Sequence, residues 1–327
     1  MQNTTDFKTV ASIFRTKEIV LGQVSKSNTA FSYAANKSEL GRYKRLSGNS
    51  IYIGREGIEF YPQELFLLEI DEQMPKHKDT VYVRNFQNRK SKYKIPQETF
   101  PLEKKYLHPL VKGINIERFH IGQSEYLVPF PYDKSNTRSP IPIKVLNRKA
   151  KLLAKYLNRF KSVILQQTNY NEKIIGKKHS KEFYALARVG EYSFAKHYVV
   201  FRDNTKWCAA VVSELATNWG GKKRPLFQNH AVSICQTVKG RFIKLNEAHY
   251  ICAILNAPIT AKYLLNSSDS RSFKIRPPIF IPEFDKKNIV HTQLAKLSKT
   301  AHKKYSNKVS VKQIDKRLDE LIVKLKK

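Results

Sequence analysis

FYALARV at residues 183–189, HYVVFRD at 197–203, WCAAVVS at 207–213 and HAVSICQTV at 230–238 are four short runs of β-branched, aromatic and small apolar residues. Turn formers separate them, among them Gly190 and the Gly220-Gly221 pair. Apolar runs of this length bounded by turn residues predict strands joined as hairpins of an antiparallel sheet. The period then changes. Glu247 to Leu265 carries apolar residues at helical spacing, with Pro258 expected to kink that helix or divide it in two. Beyond it, SDSRSFKIRPPIFIPEF (268–284) predicts a polar basic loop and a Pro-bounded strand, and VHTQLAKLSKTAHKKY (290–305) a second, basic helix. Ile314, Leu318, Leu321 and Leu325 follow i, i+4, i+7, i+11 spacing, which predicts a terminal amphipathic helix.

Towards the N-terminus the signals are sparser. Residues 1–50 are polar and irregular, whereas SIYIGREGIEFYPQELFLLEID (50–71) alternates apolar and polar residues and predicts short strands. Residues 72–101 are mostly charged, with a weak strand at Thr80–Val83, and read as a linker or insertion. After the Pro-rich stretch 139–142, Val145, Leu146, Leu152, Leu153, Tyr156, Leu157 and Phe160 recur at helical spacing with Lys and Arg opposite. Eleven Lys/Arg and one acid, Glu172, lie between Lys144 and Lys181, and a solvated helix face accounts for most of them. The fold class expected is α+β: a mixed, largely antiparallel sheet with flanking helices and a C-terminal amphipathic helix.

Charge narrows the partner. The chain has 60 Lys+Arg against 27 Asp+Glu, a formal net charge of +33 over 327 residues. Such an excess repels itself unless a polyanion relieves it. With 41% hydrophobic residues the chain is nevertheless globular and not a disordered basic tail. A membrane binder would confine its charge to one amphipathic helix with exposed apolar residues. Here the charge is spread along the chain, so nucleic acid is the expected polyanion. No run approaches a membrane span, and residues 1–30 lack a signal peptide's apolar core, so a bacterial or archaeal cytoplasmic protein is expected. Cys208, Cys235 and Cys252 sit far apart in apolar strings without a CxxC, which predicts buried reduced thiols and no metal site.

Three segments in order carry a family resemblance. Pro109-Leu110-Val111-Lys112-Gly113, running on to Ile116-Glu117-Arg118, resembles a "Pro-Leu-x-Lys-Gly-x-x-Ile-x-Arg" motif. Phe183–Ala210 looks like the strand–loop–strand unit that follows it, and Asn246–Tyr305 resembles the closing helix–loop–strand–helix. Gly54–Glu69 is similar to an "Arg-x-Gly-x-x-Thr-Gly" connector without its Thr-Gly. Over roughly residues 50–305 the chain thus resembles the C-terminal target-recognition region of adenine-specific DNA methyltransferases of restriction–modification systems, notably type IIG enzymes. The resemblance implies a mixed α/β domain that docks on duplex DNA beside a catalytic domain flipping the target adenine. It implies residues 1–100 as an N-terminal connector and strand-rich lobe, 101–285 as the DNA target-recognition domain and 286–327 as a basic helical segment.

The catalytic motifs of that family are absent. There is no Gly-rich turn for S-adenosylmethionine and no Asn/Asp/Ser-Pro-Pro-aromatic tetrapeptide, since Arg276-Pro277-Pro278-Ile279 has neither the acceptor nor the stacking ring. Catalytic residues and cofactors in this chain are therefore expected to be none, with S-adenosylmethionine expected only in a partner or missing domain. Tyr52-Ile53-Gly54-Arg55 is half of a GIY-YIG nuclease motif, and Glu103-Lys104-Lys105 is a Glu-x-Lys without its aspartate. A restriction endonuclease with an unrecognised motif and a free-standing specificity subunit remain alternatives; RRM, KH and zinc-knuckle patterns of RNA binders are missing.

Candidate contacts follow from chemistry. Arg188, Lys196, Arg202 and Lys206 punctuate the strand unit, Lys222, Lys223 and Arg224 form a basic turn after the diglycine, and Ser270, Arg271, Ser272, Lys274 and Arg276 lie between helix and strand. Arg forks suit guanine and Gln suits adenine, so Arg271, Arg276 and Gln228 are the expected base readers. Lysines are expected on phosphates. The partners expected are double-stranded DNA and a methyltransferase or nuclease domain or subunit.

Overall fold

The computed structural model describes residues 18–25, 31–87, 93, 95–166, 181–204, 206–228, 230–267, 275–306 and 312–325. Its centre is a four-stranded antiparallel sheet made of β3 (Tyr52–Arg55), β11 (Tyr198–Arg202), β12 (Ala209–Val212) and β16 (Ala231–Thr237), in the order β12-β11-β16-β3. Three of the four apolar runs supply these strands. They are nearly continuous in apolar residues because both faces are covered. Val199, Phe201, Ala209, Val232 and Ile234 join a helical core, while Tyr198, Val200, Cys208, Val212 and Cys235 face Val111, Ile116 and Phe227 on the other side.

The helical face is built from α1 (Lys37–Leu46), α6 (Leu245–Asn256), α7 (Pro258–Ser267), α8 (Ile289–Ser306) and α9 (Lys312–Ile322). Pro258 divides the expected helix cleanly, since it starts α7 one residue after the cap of α6. α6 lies along α8 and is buried almost all round, and Ile314, Leu318 and Leu321 of α9 close the core. Asn256 pins α6 to β12, its side chain accepting from the Ala209 N–H (2.9 Å) and donating to the Ala209 carbonyl (2.6 Å). Arg118 reaches the same corner. It donates to the Asn256 carbonyl at 2.8 Å and grips the Asp315 carboxylate of α9.

A second sheet of six strands runs β15 (Leu226–Phe227), β7 (Leu107–Val111), β10 (Leu127–Pro129), β4 (Leu68–Ile70), β5 (Thr80–Asn85), β6 (Thr99–Glu103). All its pairs are antiparallel except β15–β7. It carries its own core with α2 (Gln63–Phe66), α3 (Ile143–Lys149), α4 (Lys151–Arg159) and α5 (Lys161–Leu165). Short ribbons complete the fold: β1 (Val20–Gln23) with β2 (Phe31–Ala34), β8 (Ile116–Glu117) with β9 (His120–Ile121), and β13 (Leu215–Ala216) with β14 (Lys222–Lys223). The fold is α+β, with predominantly antiparallel sheets.

Two expected strands do not form. FYALARV makes one bridge, Ala187 to Glu59, and its polar groups are satisfied by tertiary partners: the Leu186 N–H by the Tyr132 hydroxyl and the Tyr184 hydroxyl by the Ile141 carbonyl. PPIFIPEF makes one bridge, Ile279 to Ser47, because Pro277, Pro278 and Pro282 remove ladder donors. Conversely, residues 72–101 are no bare linker: Thr80–Asn85 is a central strand paired on both sides.

Candidate nucleic-acid interface

Strand register decides which candidates meet. Arg202 pairs with Ala231 across β11–β16, so the chain leaves β11 after Arg202 and enters β16 before Ala231 at the same end of the sheet. The parallel pairing of Phe227 with Val111 brings the β7–β8 connection to that end too, and the Gln228 N–H donates to the Val111 carbonyl at 3.0 Å. Arg202, Lys206 and Gln228 therefore converge. The Arg202 Nε donates to Asn204 Oδ1 at 3.1 Å, while its two terminal nitrogens bond nothing among the described residues. Lys206 is exposed, and His230, 60% exposed, stands 3.3 Å from Asp203, whose carboxyl burial raises above its ordinary value. Ile114, 75% exposed, projects from the adjoining connection. Gly57 makes the corner possible: a Cβ there would lie 2.1 Å from the Gln228 carbonyl oxygen.

Sequence reading missed Asn204, His230 and Ile114 in this cluster. Only register, which places three connections side by side, reveals them.

The remaining candidates are dispersed. Arg188, at φ 58°, spans Glu56 (2.7 Å) and Glu59 (2.9 Å), so its charge is already met. Lys196 is exposed at the opposite end of β11; burial, and after it the charge of Lys196, pushes His197 below its ordinary value. The β13–β14 hairpin turns through Gly220 and Gly221, both at positive φ where L side chains are strained. Lys222 is exposed beside it. Lys223 instead donates to the carbonyls of Lys104 and Lys105, and burial lowers its pKa to about 8. The Arg224 guanidinium lies 4.6 Å from the Phe194 ring centre with its buried Nε unpartnered, and its carbonyl sits 2.9 Å from His108 Nδ1.

Arg276 is exposed at the mouth of a cleft of about 320 Å³ lined by Asn49, Ser50, Tyr52 and Gly54. Ser270, Arg271, Ser272 and Lys274 lie outside the described residues.

The motifs weighed as catalytic have structural work. The Glu103 carboxylate accepts from the N–H groups of Leu152 (2.8 Å) and Leu153 (2.9 Å), capping α4, and the Lys104 Nζ donates to the carbonyls of His77 and Lys78. Gly54 of Tyr52–Arg55 is required by close packing, a Cβ falling 2.0 Å from the Ile275 carbonyl oxygen. Pro278 of the Pro-Pro pair accepts from the Tyr263 hydroxyl and the Gly48 N–H. All three cysteines are buried and unbridged. Among the described residues no helix is long and apolar enough to cross a membrane.

No protein-family model matches the chain, and no curated protein is significantly similar to it.

Proposed function

We propose that this chain is the sequence-specific, double-stranded-DNA recognition module of a restriction–modification system of the adenine-methylating, type IIG kind, working beside a methyltransferase or nuclease domain or subunit that supplies the chemistry. The observation that supports this most is the convergence of Arg202, Lys206 and Gln228 at one end of the central sheet, in a chain of net charge +33. Gln228 suits the bidentate pattern of adenine and the open fork of Arg202 that of guanine, while Lys206 suits a phosphate. S-adenosylmethionine belongs to the partner in this reading, because no segment here has the turn or the tetrapeptide that would use it.

Selection from a random duplex library, followed by binding isotherms on the enriched site and a scrambled one, tests the proposal. An enriched motif is expected, with Arg202→Ala or Gln228→Ala costing about 1–3 kcal/mol on that motif alone. Failure to bind any duplex at low salt, or binding with no enriched motif, overturns it.

A further inference from the structure

The face of α3–α5 turned away from the six-stranded sheet carries a second cationic surface. Between Ile143 and Gln166 there are seven Lys/Arg and no Asp or Glu. Leu146, Leu153, Ala154, Tyr156, Leu157 and Ile164 are buried on one side, so the cations are driven to the other. Lys144, Arg148, Lys149, Lys151 and Lys155 are all exposed, and none of them forms an ion pair among the described residues.

The acids that could have neutralised them are used elsewhere. Glu103 is committed to the N-terminal N–H groups of α4, and Glu182 accepts from the Ile143 N–H at 3.2 Å at the start of α3. Of the seven cations, Arg159 alone forms an ion pair among the described residues, with Glu98, and Lys149 has the Asp133 carboxylate near it. Lys151, Lys155 and Arg159 stand at i, i+4 and i+8, one row along the helix, and like charges so spaced destabilise it. The solvated face expected from sequence thus holds a row of cations that repel one another, of which Lys151 and Lys155 have no ion-pair partner among the described residues.

We infer that this face binds the phosphate backbone of duplex DNA, as a sequence-independent contact separate from the turn cluster of Arg202, Lys206 and Gln228; the inference rests on the DNA-recognition reading above. Cations at every fourth residue stand about 6 Å apart along the helix axis, and the polymer they meet bears one charge per roughly 1.7 Å of its own axis, so each has phosphates within reach. An anionic membrane is the competing surface, but a helix that lies on lipid inserts large apolar residues beside its cations. Among the described residues between 115 and 237 no large apolar side chain is exposed.

The test is the triple variant Arg148→Gln, Lys151→Gln, Lys155→Gln in the full chain, titrated onto the enriched and scrambled duplexes at several salt concentrations. Affinity for both duplexes is expected to fall about tenfold or more at physiological salt, and the log–log salt slope to flatten by about 2–3, at roughly 0.9 for each phosphate no longer neutralised. The ratio between the two duplexes stays unchanged, and the melting temperature is unchanged or higher because repulsion is removed. Lys151→Arg with Lys155→Arg, which keeps the charge, binds as the parent does. A parent that binds DNA while the triple variant keeps its affinity and slope overturns this inference and leaves the recognition reading standing. A parent that binds no duplex removes both. Vesicles of phosphatidylcholine with phosphatidylserine form the last arm: parent binding to them more tightly than to duplex, abolished in the triple variant, assigns the face to membrane and overturns the inference.

Discussion

Arg188 and Arg202 belong to the same stretch of chain and carry the same charge, yet their surroundings give them different consequences. Arg188 bridges two carboxylates at a little over one-third side-chain exposure, where each pair contributes about 0–1 kcal/mol. Arg188→Ala is expected to lower stability by about 1 kcal/mol in denaturant titration and to affect all duplexes alike. Weakening confined to the enriched duplex would contradict that staple role. Histidines make a second residue-scale prediction. Burial holds both His108 and His249 at about 3, far below the ordinary 6.5, so each is neutral in the fold. Unfolded chain takes up their protons first as pH falls, so their stabilising contribution is complete above 6.5 and disappears progressively towards 3. His302 strengthens the effect, because its Nε2 accepts from the Val211 N–H and its Nδ1 donates to the Ser298 carbonyl, an arrangement only the neutral ring can make. The melting temperature should fall steadily from about pH 7 to about pH 4, and less steeply in His249→Gln.

Among the elements, those that pack on both sides were the most readable. β11, β12 and β16 stand out as apolar runs because two cores need them, and Pro258 marks where α6 ends. FYALARV has the same composition but no open neighbour strand, a matter of tertiary partners that local pattern does not encode. Thr80–Val83 was legible as a weak strand, and the charged residues around it hid only its extent to Asn85 and its central place in a sheet, where its buried residues alternate strictly. The candidate site was legible as chemistry and not as geometry, since residue type named Arg202, Lys206 and Gln228 while register alone unites them and sets Arg188 and Lys223 apart. Gly57→Ala tests the corner itself. Its Cβ would collide with the backbone oxygens of Phe227 and Gln228, so the turn must move, at a cost of about 1–3 kcal/mol. Discrimination between enriched and scrambled duplexes is expected to shrink more than overall affinity. Truncating Leu318, fully buried in α9, should cost about 2–5 kcal/mol with no change in that ratio.

For the whole molecule, a charge of +33 acts on stability as well as on binding. Without a polyanion, added salt screens the self-repulsion, so the melting temperature should rise with sodium chloride. Duplex DNA should raise it further at low salt, in proportion to the logarithm of free duplex above its dissociation constant. A melting temperature that falls with salt would mean that specific ion pairs outweigh the net charge. The helical core also has a history in time. β3 and α1 come from residues 37–55, yet β3 pairs with β16 through Tyr52 and Thr237, and Tyr43 of α1 packs its ring on that of Tyr263 in α7. On a ribosome making about 5–20 residues per second, the early partners wait about ten to forty seconds for the late ones. Through that interval Leu40, Tyr43 and Leu46 have no core to enter, and β3 has an open edge. Those are the segments of the nascent protein that a chaperone would meet first, and the ones on which its yield in a cell would depend.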